Sequence, residues 1–199
     1  MVDNLGMLIL ASGSPRRREL LTQAGYVFEV RAAEIDESLR EGEEPVAYVT
    51  RLAREKAEAV FRKVAGELAG GITVLGADTS VVVDGVILGK PRDGEDAARM
   101  LRMLAGRRHE VITGVAVVKD GRVEVVSETT WVEFLPVGEA EIAAYVASGE
   151  PMDKAGAYGI QGWAARWIPR IEGCYFNVVG LPVARVAAML DGAGVRVRA

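Results

Sequence analysis

Apolar residues fall along this chain in two rhythms. A short apolar run at Met7 to Ala11 predicts a buried strand, and Val27 to Arg31, Thr73 to Ala77 and Ser80 to Val83 read as further strands, the last two flanking Asp78-Thr79. The helical period appears instead at Val46, Val49, Leu52, Ala53, Ala57, Val60 and Val64, predicting a long helix opened by Pro45. Ser14 as N-cap and Pro15 as first helical residue predict another helix to about Ala24, with Gly25 as its stop. Asp93 caps a third through Leu104, with Gly106 just past its end. Glu139 to Ala147 and Pro182 to Leu190 complete the helices, and Gly-rich Lys154 to Gly162 reads as loop. Asp84-Gly85 turns the chain back into Val86 to Leu88. Asp120-Gly121 joins strands near Glu110 to Val118 and Val123 to Phe134. The expected fold is mixed α/β (α+β), because hairpins require antiparallel pairs within an otherwise alternating chain. With no repeat, low-complexity tract or linker, residues 1–199 read as one domain.

Composition narrows the class. A chain of 199 residues buries roughly 70% of its unfolded surface. A net charge of −4 makes it a poor general nucleic-acid binder, since phosphate neutralisation supplies most non-specific affinity. The single cysteine, Cys174, excludes an internal disulfide and fits a reducing cytoplasm. No stretch approaches the ~20 apolar residues of a membrane span, and no signal peptide is expected.

The polar punctuation carries the candidate chemistry. Ser12, Gly13, Ser14 and Arg16 to Arg18 stand where the first helix begins. They form either a seat for phosphate oxygens or a capped surface helix with solvated arginines. Asp78, set in a strand-like run where aspartate is rare, is either a metal ligand or proton acceptor, or a turn residue. Thr79 is beside it, and Lys90 follows Gly89 on a rigid loop before Pro91. The acidic run Glu34 to Ser38, with Glu37 in it, suits a hard cation such as Mg²⁺ or Mn²⁺, or is a solvated loop. Lys56 falls on the apolar stripe of the long helix, where it either snorkels or reaches into a polar cleft. Gln161 offers the amide donor and carbonyl acceptor that match a uracil or thymine edge; the alternative is a turn residue facing water. The one histidine, His109, reads as a surface residue, and Trp131, Trp163 and Trp167 as packing residues.

Taken in order, "LASGSPRRREL", "EIDES", "RLAREKA", "GADTSVVVDGVILGKPRD", "HEVITGV", "DKAGAYGIQG" and "NVVGLP" resemble the Maf-like nucleoside triphosphate pyrophosphatases, over Leu8 to about Leu190. The resemblance implies an elongated mixed sheet with two lobes around a central cleft, similar to inosine triphosphate pyrophosphatases. It implies an acid-anhydride hydrolase, a nucleotide diphosphatase, that converts dTTP and UTP to monophosphate and pyrophosphate with a divalent metal. By motif position Asp78 is the proton acceptor, and Arg16, Thr79 and Gln161 set substrate specificity. A sister branch acting on 7-methyl-GTP carries Trp, Gln and Glu at those three places. Ser12, Gly13, Ser14, Arg16, Lys56 and Lys90 would bind phosphate, and Glu37 with Asp78 would hold the metal. A homodimer, and no nucleic-acid or membrane partner, complete the expectation. Two alternatives stand beside it: a pyrophosphatase for other, non-standard nucleotides, and a nucleotide-binding regulator of septum formation without physiological catalysis.

Overall fold

The computed structural model describes residues 6–65 and 71–197. The strands are β1 (Met7–Leu10), β2 (Glu29–Val30), β3 (Ile72–Val83), β4 (Val86–Leu88), β5 (Arg108–Lys119), β6 (Arg122–Glu133) and β7 (Arg170–Glu172). The helices are α1 (Pro15–Gln23), α2 (Pro45–Val64), α3 (Gly94–Leu104), α4 (Glu139–Ala147), α5 (Tyr175–Val179) and α6 (Val183–Gly192). The sheet runs β2-β1-β3-β5-β6-β7, with β4 paired to β3. β1 is parallel to both neighbours, Ile9 standing opposite Glu29 and Val74. β4 is antiparallel to β3 and β7 to β6, so the sheet is mixed, as the hairpins required. Asp84 and Gly85 have φ of 51° and 75°, and Asp120 and Gly121 have 49° and 75°. These left-handed pairs are what a two-residue hairpin turn matched to strand twist demands.

Four elements differ from the sequence reading. Asp78 and Thr79 do not interrupt a pair of strands; β3 runs through them for 12 residues. Residues Lys154 to Gly162 hold one short 3-10 turn, Ala155–Ala157, rather than plain loop. β7 and α5, three and five residues long, are too short to leave a readable period.

The chain forms two compact units. One lies within Met1–Asp78, Thr113–Ser127 and Gly180–Ala199, the other within Thr79–Ile112 and Glu128–Val179. In the first, α2 packs Ala53, Ala57, Val60 and Val64 onto Ile9, Ala11, Ile72, Val74, Ala116 and Val118. Two glycines permit the close approach. A Cβ on Gly76 would overlap the Ala53 carbonyl and stand 2.9 Å from Ala57, and one on Gly114 would overlap the Val49 carbonyl. The backbone of α2 therefore rests where β3 and β5 lack side chains.

In the second unit, α3 and α4 pack around Val81, Val83, Leu88, Val132 and Phe134. Phe134, Tyr158, Trp167 and Tyr145 meet edge to face there, with centroids 4.8 to 6.2 Å apart. His109, expected on the surface, joins this cluster. It is 1% exposed, and its Nε2 lies 2.8 Å from the Tyr158 hydroxyl. Charged neighbours in sequence misled, because residues alternate across a strand: Arg108 faces out and His109 faces in. Burial pushes the imidazole down to about 4, so it is neutral at ordinary pH.

Candidate active site

The site begins with strand periodicity. Ile72 and Val74 pack into the α2 core, and Gly76 lies against the α2 backbone. Asp78, two residues further on, shares that face of β3. On α2, Lys56 lies between Ala53 and Ala57, which make that contact, so lysine and aspartate are brought together. Lys56 Nζ donates to Asp78 Oδ1 at 2.7 Å and pairs with Glu37 Oε1 at 2.9 Å. Lys56 and Asp78 are 8% and 9% exposed. The lysine thus reaches inward instead of snorkelling, and the pairing offsets much of the cost of burying either charge.

The loop bearing Glu37 is held on both sides. The Tyr48 hydroxyl donates to the Glu37 carbonyl at 2.8 Å. Arg51 Nη2 donates to the Ser38 carbonyl at 3.0 Å, and Arg51 is itself fixed by Glu43 at 2.6 and 2.7 Å. Partial burial, and then the negative charges of Asp78 and Glu37, push the Tyr48 hydroxyl above its ordinary value. Asp36 accepts the Ser38 N–H and hydroxyl at 2.9 and 2.6 Å, closing a turn. Glu34 is exposed. Of the acidic run, Glu37 is the carboxylate that shares Lys56 with Asp78.

The three consecutive arginines have three fates. Arg18 is exposed, Arg16 half-buried and Arg17 buried. Arg17 belongs to the apolar face of α1 with Leu20 and Leu21, the i, i+3, i+4 spacing of an inward stripe. Its Nε donates to the Gly180 carbonyl at 2.8 Å, and its Nη1 to Ser12 Oγ at 3.1 Å and the Ala77 carbonyl at 2.8 Å. Desolvation pulls this guanidinium below its ordinary value, and Asp78 pulls it back up. Ser12 Oγ also accepts the Ser14 N–H at 3.3 Å, and Ser14 caps α1 by accepting the Arg17 N–H. Gly13 between them is exposed. Arg17, expected with Arg16 and Arg18 either to seat phosphate or to be solvated, instead turns inward as a structural clamp; Tyr48, which the motifs did not mark, also supports the site. The spacing of Arg17 with Leu20 and Leu21 was the available signal.

The remaining candidates lie in the second unit. Thr79 is half-buried on β3, and Lys90 is exposed on the loop after β4. The preceding Gly89 accepts the Gly156 N–H at 3.0 Å, fastening that loop to the Gly-rich segment. Gly156 has φ of 66° and leaves no room for a Cβ beside Val81. Gln161 is exposed on the turn that leads into Trp163–Trp167. Glu150 anchors this turn by accepting the Trp163 N–H at 3.1 Å and the Tyr145 hydroxyl at 3.0 Å.

The Maf-like protein family profile matches residues 7–193. The chain belongs to this family. A dTTP/UTP pyrophosphatase of Koribacter versatilis is 54% identical over 193 residues, 96% of this chain and 97% of that one. One of Chromobacterium violaceum is 53% identical over 190 residues, 96% of each chain. A solved dITP/XTP pyrophosphatase of Mycobacterium abscessus aligns over 94% of this chain and 97% of its own, at 15% identity and a TM-score of 0.41.

Among the described residues of this Maf-like chain, no group of three or more His, Cys, Asp or Glu side chains could hold a metal ion. Glu37 and Asp78 nevertheless aim one oxygen each at a common cation position. That donor set fits Mg²⁺ or Mn²⁺, which take one or two carboxylates and complete their shell with water and substrate phosphates. No described helix is long and apolar enough to cross a membrane.

Proposed function

We propose that this Maf-like chain is a pyrophosphatase that hydrolyses dTTP and UTP to the monophosphate and pyrophosphate. The observation that carries the reading is the carboxylate of Asp78, buried in a strand and shared with Glu37 through Lys56. The relatives bearing that activity in their names, at 53% and 54% identity over nearly their whole length, supply the substrate.

Asp78 accepts the proton of the attacking water. A carboxylate has lone pairs beyond the one Lys56 takes, and its anchored geometry fixes the water's direction of approach. Arg16, Lys56, Lys90 and the Ser12, Gly13, Ser14 segment bind phosphate, and their positive charge stabilises the transferring phosphoryl group as it loosens. Arg17 keeps Ala77 and Ser12 in place, so the base does not move as charge shifts. Glu37 and Asp78 would hold a divalent metal, which when bound offsets phosphate charge and polarises phosphoryl oxygens. Thr79, Gln161 and Arg16 set base preference, with the Gln161 amide pairing with both a donor and an acceptor on the pyrimidine edge. A cytoplasmic location goes with this reading, since free nucleotides are its substrate.

The test is pyrophosphate release from a panel of nucleotides, canonical and modified, with Mg²⁺ or Mn²⁺. The highest kcat/KM is expected for dTTP and UTP. Nucleotide binding with no release would replace the enzyme with a sensor.

A further inference from the structure

Two cations and two carboxylates meet around Asp78 before any ligand arrives. Arg17 and Lys56 supply two positive charges at 9% and 8% exposure; Asp78 and Glu37 supply two negative ones. The Lys56 ammonium stands where the oxygens of Asp78 and Glu37 converge, at 2.7 and 2.9 Å. A divalent cation held by the same oxygens needs the same point, with oxygen ligands at about 2.1 Å. Free metal would therefore expel the ammonium from its anionic partners and leave it buried without a counter-charge, the costly case for an ion pair. Two carboxylates alone also hold such an ion only weakly, the rest of its shell being left to water, and no larger cluster exists among the described residues. A triphosphate removes both obstacles: its oxygens complete the shell and give the ammonium a new anion.

We infer that Lys56 is the resident cation of this site, excluding free divalent metal, so that metal and triphosphate bind as one unit while Lys56 passes from carboxylate to phosphate. This rests on the triphosphate reading above. The four-carbon lysine stem allows the exchange, since it swings a point charge without moving α2. The coupling is reciprocal: metal tightens triphosphate by the same factor as triphosphate tightens metal.

The test is a Mn²⁺ titration of the full chain without nucleotide, following free Mn²⁺ by electron paramagnetic resonance. Lys56→Met keeps the length and removes the charge. It is expected to bind Mn²⁺ at least ~10-fold more tightly than the unaltered chain. Equal or weaker Mn²⁺ binding by folded Lys56→Met, checked by circular dichroism, overturns the inference. If that variant does not fold, the unaltered chain decides by calorimetry with inorganic tripolyphosphate. Binding at least ~10-fold tighter with Mg²⁺ is expected, and no gain overturns the inference. Neither arm uses a nucleotide or turnover. A chain that passes them but releases no pyrophosphate loses the proposed activity and keeps the cation exchange. One that fails them but hydrolyses dTTP keeps the activity and loses the exchange.

Discussion

Arg17 Nη1 donates to the carbonyl of Ala77 at 2.8 Å, one residue before Asp78. The same side chain also holds Ser12 Oγ and the Gly180 carbonyl, so α1, β3 and the segment before α6 are pinned to one guanidinium. Arg17→Met removes three hydrogen bonds from a buried guanidinium and is expected to destabilise the chain by about 2–5 kcal/mol in denaturant titration. Arg17→Lys keeps the charge and loses the fork. It should cost less stability, while lowering kcat more than it changes KM. Wild-type stability in Arg17→Met would show that the clamp carries no weight.

Gly76 sets the distance between α2 and β3, and so the reach of Lys56 to Asp78. Gly76→Ala forces a Cβ into the Ala53 carbonyl and Ala57. Overpacking of this kind costs roughly 1–3 kcal/mol, and the shift of α2 should also lower turnover. Thermal melts and kcat together check this, and a loss of stability without loss of turnover would uncouple helix position from the site.

His109 gives stability a pH dependence with a definite sign. Its folded value is about 4 against an ordinary 6.5, so between them the unfolded chain binds a proton that the folded chain refuses. Stability is full above 6.5 and falls towards pH 4, by on the order of 3 kcal/mol. Glu43 and Asp96, both held to about 2 by arginine hydrogen bonds, lose their contribution lower, from about their ordinary 4.5 and 3.8 downwards. His109→Phe should therefore flatten the stability curve between pH 6.5 and 4.5 while lowering stability at neutral pH, since Tyr158 loses its partner. An unchanged slope would assign the acid sensitivity to other groups.

Gln161 presents an amide where a carboxylate would offer acceptors alone. Gln161→Glu should lower kcat/KM for dTTP and UTP by about 10-fold or more relative to the other nucleotides, with little change in melting temperature. An unaltered ranking across the panel would release Gln161 from base selection.

Most of the framework was legible because its signals are local. The Asp-Gly turns, the Ser14 and Asp93 caps and the period of α2 each follow from a few neighbouring residues. What was not legible depends on partners distant in sequence. β3 continues through Asp78 because Lys56, 22 residues earlier, supplies a counter-charge. His109 turns inward because Tyr158 and Phe134 form its pocket. Arg17 is buried because Ala77 and Gly180, 60 and 163 residues away, offer carbonyls. The "NVVGLP" motif shows the same limit. Asn177 donates to the Val111 carbonyl and Thr130 Oγ1 at 2.9 and 3.0 Å, while Gly180 reaches φ of 127° and offers its carbonyl to Arg17. Neither role leaves a trace in local pattern.

The most direct measurement is the rate of pyrophosphate release from dTTP and UTP by Asp78→Asn under saturating substrate and metal. The variant keeps size and shape, and Lys56 retains Glu37, so the fold should persist by circular dichroism. With its proton acceptor removed, kcat should fall by at least ~100-fold. A folded Asp78→Asn with turnover near that of the unaltered chain would contradict the account at its centre.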